Sequence, residues 1–302
     1  MKIYAPKYYG EFACIADKCT HSCCVGWEIY IDKRTMEKYR ALDSAYAGEI
    51  IASIEGGDEP KFRMCKDGRC PHLDENGLCK IIIDSGEEYL SDICREHPRF
   101  YNESVRGVEV GLGMACEEAA RIILSSDGYR DFVVVGESEG EPCETEIDAI
   151  GEIGQIYDIL AAEGSYPERL KRIYAEWEVS PAVLADSDWR ELLSGLEYLD
   201  EAHAVLFSAY SSEVVAGSEF DKISERALGY FVYRHCAAAS EAADFRASLG
   251  LALFLERLFA SVLVKEGVKD LEGGATRVAR IISEELEYSE ENTDSIRTEF
   301  YF

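Results

Sequence analysis

Nine of the eleven cysteines in this 302-residue chain precede residue 117, and eight of them form a pattern that packing does not need: Cys14-x4-Cys19-x3-Cys23-Cys24, then Cys70-x8-Cys79, Cys94 and Cys116. Thiolates grouped at short intervals can reach one point in space, as a soft metal ion or an iron–sulfur cluster requires. The competing use of such a set is a disulfide framework. Residues Met1 to Lys7 carry lysines but no apolar run of signal-peptide length, so a cytoplasmic chain with reduced thiols is expected. In that setting clustered cysteines mean metal or catalysis more often than cross-links. No stretch reads as a membrane span.

The formal net charge is -28. Residues 1–125 carry 16 Lys+Arg against 22 Asp+Glu, whereas residues 126–302 carry 15 against 37. So acidic a second half repels nucleic acid and anionic membranes and attracts cationic protein surfaces, unless the charge serves solubility alone. Cysteine usage and charge change at about the same place, near the Gly/Glu/Ser stretch from Gly136 to Glu146. The expected organisation is a cysteine-rich, metal-binding α+β domain over residues 1–125, an acidic linker over 126–146 and a helical bundle over 147–302. The fold class is mainly α, with the first domain packed on the bundle.

Periodicity carries the second half. Leu192, Leu196, Leu199, His203, Leu206 and Tyr210 predict one face of a long helix, with His203 as a satisfied core histidine. Leu251, Phe254, Leu255, Leu258, Phe259 and Val262 predict another. Asp221 is placed as the cap of a third, Pro167 and Pro181 at helix starts, and Gly273-Gly274 before a last helix bearing Val278, Ile281 and Leu286. In the first third, Trp27–Asp32 and Val105–Val110 read as strands, 35–54 as one helix and Asp74-Glu75-Asn76-Gly77 as a tight turn. Phe132–Val135 is a short apolar run. Gly111-Leu112-Gly113 begins a nucleotide-loop pattern, but Cys116 stands where the third glycine belongs, so the segment reads as the turn delivering that cysteine.

The candidate metal ligands are Cys14, Cys19, Cys23, Cys24, Cys70, Cys79, Cys94 and Cys116; a cubane cluster needs only four. Cys65 is a weaker candidate, and Cys143 and Cys236 read as non-ligands. His72, His97 and Arg99 follow motif cysteines closely, and the two histidines suit donors to a cluster sulfur or a backbone carbonyl. Arg99 suits neutralisation of thiolate charge. His21 could replace a thiolate, although a solvent-facing or hydrogen-bonding role competes. Tyr233-Arg234-His235-Cys236 concentrates polar groups in an apolar helix, where they need partners. Tyr233 and His235 are the catalytic candidates, against a plain interhelix hydrogen-bond network.

Phe12-x-Cys14-x4-Cys19-x3-Cys23-Cys24-x2-Trp27, Cys70-Pro71-His72-Leu73, Cys94-Arg95-Glu96-His97-Pro98-Arg99 and Cys116-Glu117-Glu118-Ala119-Ala120-Arg121 resemble the flagellin lysine-N-methylase family. The run Glu284 to Asn292 resembles that family's ending. The resemblance implies transfer of a methyl group from S-adenosylmethionine to lysine ε-amines of a protein such as flagellin. It also implies a metal centre, a [4Fe-4S] iron–sulfur cluster or zinc. The chain is short for the family between residues 125 and 220. A non-catalytic metal-binding or electron-transfer module docking a protein partner is the alternative.

If the cysteine pattern holds a metal, Cys19→Ser or Cys79→Ser should strip it and loosen the first third, while Cys143→Ser and Cys236→Ser leave metal content unchanged. Elemental analysis of anaerobically purified protein decides this, and equal metal in all four variants would show the ligand set to be wrong.

Overall fold

A computed structural model describes residues 1–214 and 217–301, except for the side chains of Glu219, Leu271 and Glu272. Four segments build a mixed sheet: Lys2–Pro6, Arg99–Ser104, Gly107–Leu112 and Phe132–Glu137. Across the sheet the order is 99–104, 107–112, 2–6, 132–137. The first strand runs parallel to 107–112, with Ile3 opposite Val108, and antiparallel to 132–137. Strands 99–104 and 107–112 form a hairpin. At its foot Glu109 is fully buried, and it accepts from Arg106 Nε and Nη2 at 2.7 and 2.8 Å and from Ser104 Oγ at 2.8 Å. A buried carboxylate without such partners would be costly.

The chain divides into two compact units: Met1–Phe12 with Arg99–Phe302, and Ala13–Pro98. These limits differ from the expected division at 125 and 146. Residues 99–137, with Cys116 among them, and the N-terminal strand supply one sheet, so they join the helical part and not the other seven expected ligands. Phe132–Val135, expected to lead into a linker, is the edge strand of that sheet.

The larger unit is mainly helical. Its core centres on the helices Ser218–Cys236 and Ala242–Lys265, whose Leu228, Phe231, Leu251, Phe254, Leu258 and Phe259 are fully buried or nearly so. By length and composition the helix Ala242–Lys265 could cross a membrane, a possibility the sequence reading passed over, yet 94% of its apolar window is buried in the unit. Pro167 starts Tyr166–Glu176, where Glu168 takes the Ser165 amide and hydroxyl at 2.8 and 2.9 Å. Asp221 is not the N-cap, because its helix already begins at Ser218 with Gly217 in that position.

The single helix expected through Leu192 and Tyr210 is two, Asp186–Ser194 and Ala202–Phe207. Gly195 ends the first, Leu199 is exposed, and the amides of Leu199 and Asp200 turn to the Glu285 carboxylate at 2.7 and 3.2 Å. His203 Nδ1 meets the same carboxylate at 2.5 Å, which satisfies it as expected.

In the unit Ala13–Pro98 the segment expected to be one helix is also two, Lys33–Ala41 and Ala47–Ala52. Trp27–Asp32 forms no strand. Its backbone is tied to the next segment by Ile31 N–H to Pro60 O at 2.7 Å and Phe62 N–H to Ile29 O at 3.0 Å. Asp74 closes the expected turn by accepting from the amides of Asn76 and Leu78, both at 2.8 Å.

Gly229 tests the packing of the larger unit. A Cβ there would lie 2.4 Å from the Tyr129 ring, which is held by its hydroxyl to Glu225 at 2.8 Å. Gly229→Ala should therefore destabilise the protein by about 1–3 kcal/mol in urea unfolding, since the overpacked ring has no room to yield.

Candidate functional site

Backbone pairing, more than cysteine spacing, brings four thiols to one core. The Cys70 amide donates to Cys24 O at 2.8 Å and the Gly26 amide to Gly68 O at 3.0 Å, which joins the first cysteine loop to the second. Leu73 bridges Cys79 across the Asp74 turn. Cys79 precedes the helix Lys80–Ser85, and Cys94 lies in the helix Asp92–Glu96. Cys70 is buried, and Cys24, Cys79 and Cys94 pack against the same core of Ile29, Tyr39, Ile50, Phe62 and Ile81.

Burial pushes the Cys70 thiol up to about 12 and that of Cys94 up to about 11, and it raises Cys79 as well. Cys24 is drawn down to about 7, chiefly by the Cys23 side chain against the opposing effect of burial, with Ser22 and Arg69 helping. Charge on Cys24 in turn raises the other three. Three thiols whose ionisation a neighbouring thiolate discourages form, with that thiolate, a donor set whose repulsion a cation would reverse. Among the described residues, no three His, Cys, Asp or Glu side chains stand so as to hold a metal ion. The set fits a thiolate-bound group by chemistry: all sulfur, with no competing imidazole.

The other expected ligands are placed differently. Cys14 and Cys23 are exposed, Cys19 is half-buried and none belongs to this core. Cys116 belongs to the larger unit, where it precedes the helix Glu117–Ser125. The glycines before it serve packing: a Cβ on Gly111 would meet the Phe100 ring at 2.3 Å.

The His72 backbone amide donates to the Cys70 sulfur, but its ring serves neither a sulfur nor a carbonyl. Ser53 gives its hydroxyl proton to Ile50 O at 2.6 Å, so it accepts from His72 Nε2–H at 2.9 Å, and His72 Nδ1 accepts from Tyr46 at 2.6 Å. Burial pulls this neutral ring down to about 4. The His97 ring lies 5.7 Å from that of Trp27. Arg99 donates to the Tyr9 hydroxyl at 2.9 Å and lies over Phe12. Arg69, which the sequence reading passed over, is a cation that helps lower Cys24.

The larger unit holds a second feature, a cleft of about 430 Å³ lined by Phe100, Asn102, Arg234, His235 and Glu287 with Glu290, Asp294 and Arg297. Glu287 is buried and takes Tyr230 at 2.9 Å, Arg234 Nε at 3.1 Å and His235 Nε2 at 2.8 Å. Burial raises its pKa, but Arg234 and His235 outweigh that and keep it ionised. Burial lowers the pKa of His235, so the ring is neutral, gives Nε2–H to Glu287 and presents Nδ1 as its basic atom. Tyr233 lies off the cleft. Its hydroxyl is buried in the sheet, 3.1 Å from Glu109 and 3.3 Å from the Val110 carbonyl. Glu287, the partner that sequence reasoning missed, lies in the run Glu284–Asn292, but nothing in that run marks which acid turns inward.

No protein-family model matches the chain, and no solved structure matches it. The flagellar biosynthetic protein FliU of Salmonella muenchen is 31% identical over 142 residues, 44% of this chain and 82% of that protein. Lysine-N-methylases of Salmonella choleraesuis and Salmonella typhimurium are 33% and 31% identical over 128 residues. Those matches cover 40% of this chain and 32% of each methylase, so the chain aligns with about a third of their length.

Asp32 tests how the thiol core is held. Its carboxylate accepts from Thr35 N at 2.8 Å, Thr35 Oγ1 at 2.7 Å and Asp92 N at 2.9 Å, which ties the helix Lys33–Ala41 to the helix that carries Cys94. Burial raises its pKa, yet these bonds hold the carboxyl below its usual 3.8. Asp32→Ala should cost about 1–2 kcal/mol at neutral pH. A depressed carboxyl contributes above its unfolded pKa and loses that contribution as pH falls through the folded one. Urea unfolding curves of variant and wild type should therefore converge below 3.8.

Proposed function

The chain belongs to the family of the flagellar biosynthetic protein FliU and the lysine-N-methylases, and from that membership we propose a protein lysine N-methyltransferase. Similarity to proteins named lysine-N-methylase carries this reading, and the cleft supports it. A lysine amine attacks only when neutral, so its ammonium must give up a proton. His235 Nδ1 is the acceptor the cleft offers, and Glu287 fixes the ring and stabilises the imidazolium once formed. Glu290 and Asp294 at the cleft attract the incoming ammonium. Bound S-adenosylmethionine would supply an electrophilic methyl on a sulfonium. The carboxylates suit that cation and Arg297 suits its carboxylate, whereas the cleft brings no glycine-rich loop to a nucleotide.

Cys24, Cys70, Cys79 and Cys94 would hold an iron–sulfur cluster, or zinc in its place, which would order the unit Ala13–Pro98. The partner is a lysine-bearing protein surface such as flagellin, drawn by the acidic charge of residues 126–302.

Anaerobically reconstituted protein is incubated with flagellin and labelled S-adenosylmethionine, and lysine methylation is read by mass spectrometry. Unmodified lysines with a loaded metal centre would leave the non-catalytic module standing. His235→Ala should lower methyl transfer by roughly 10²–10⁴-fold with metal content and melting temperature near wild type. Because burial lowers the His235 pKa, the acid limb of the rate profile should lie below the ordinary histidine value of 6.5.

A further inference from the structure

We infer that the Tyr39 hydroxyl is a hydrogen-bond donor to a thiolate sulfur of the four-cysteine site in the unit Ala13–Pro98. This rests on the reading that those cysteines hold a metal group. Thr35 and Tyr39, four residues apart, are the buried residues of the helix Lys33–Ala41. Tyr39 is 1% exposed, and its ring stacks on Phe62 with centroids 6.3 Å apart. Its hydroxyl is buried and makes no hydrogen bond. Cys70, Cys79 and Cys94 share its core, and their charges, Cys94 foremost, act on the phenol after burial itself.

A tyrosine buried to the tip normally finds a partner for its O–H, and leaving one unpaired costs about 1–3 kcal/mol. Phenylalanine would fill the same space without that cost. Neutral thiols are weak acceptors, whereas metal-bound thiolates are anionic and strong ones. The hydroxyl is thus a partner in waiting, its bond made when the sulfurs carry charge. Hydrogen bonds to ligand sulfurs stabilise the more negative state of a centre, and so raise the reduction potential of a cluster.

The test compares Tyr39→Phe with wild type in both metal-free and anaerobically reconstituted protein. Without metal, Tyr39→Phe should melt at the wild-type temperature or above it, because no hydrogen bond is lost. With metal, the variant should surrender it to a chelator roughly tenfold faster, as loss of a bond to a charged acceptor predicts. If the group is a cluster, its reduction potential should also fall. A Tyr39→Phe that is destabilised to the same degree in both forms would show a structural hydroxyl and overturn the inference. So would unchanged chelator release and potential in a fully loaded variant. Wild-type protein that takes up neither iron–sulfur nor zinc overturns the metal reading itself, which separates the two failures.

Discussion

Parallel pairing of Lys2–Pro6 with Gly107–Leu112 is the constraint on which the chain's arrangement depends. Antiparallel neighbours can be joined by a tight turn, but parallel ones need a long crossover. The chain must therefore leave the sheet after its first strand and return a hundred residues later, and the cysteine unit occupies that excursion. The strand Phe132–Glu137 closes on the other side of the first and Arg99–Ser104 pairs with the far side of Gly107–Leu112, so the strands that flank the excursion belong to one sheet. The core that holds Cys24, Cys70, Cys79 and Cys94 is separate from the helical core.

Buried acids do for the larger unit what apolar packing alone does not. Glu109, Glu225, Glu256, Glu285 and Glu287 are all buried, and each meets a cation or a histidine: Arg106, Arg169, Arg257, His203 and the pair Arg234 and His235. Removing one partner would leave an uncompensated charge. Such pairs fix which face of each helix turns inward. They also mean that part of the acidic excess is internal, so the outer field is weaker than the sequence count implies.

The helical character of the second half was legible because its apolar residues recur with the helical period, as in Leu251 to Val262. The break after Ser194 was not, since the leucine stripe runs through it and only Glu285, distant in sequence, catches the freed amides. The cysteine pattern singled out the part of the chain in which Cys24, Cys70, Cys79 and Cys94 share one core. It could not separate Cys24 from Cys23, because side-chain direction there is set by backbone hydrogen bonds between loops. His235 was legible as a polar residue out of place, whereas Glu287 was hidden among like acids.

The cysteine unit is anchored at both ends in the sheet, and that bears on how the protein responds if the thiol site is emptied. An unfolded insertion between fixed ends is a closed loop, and loop entropy rises slowly, each doubling of length adding only about 0.6 kcal/mol. By chain connectivity alone, melting of Ala13–Pro98 would add only a small loop-closure cost at Phe12 and Arg99. An insertion of this kind lets the order of a long segment depend on its occupant at little entropic cost to the strands that flank it.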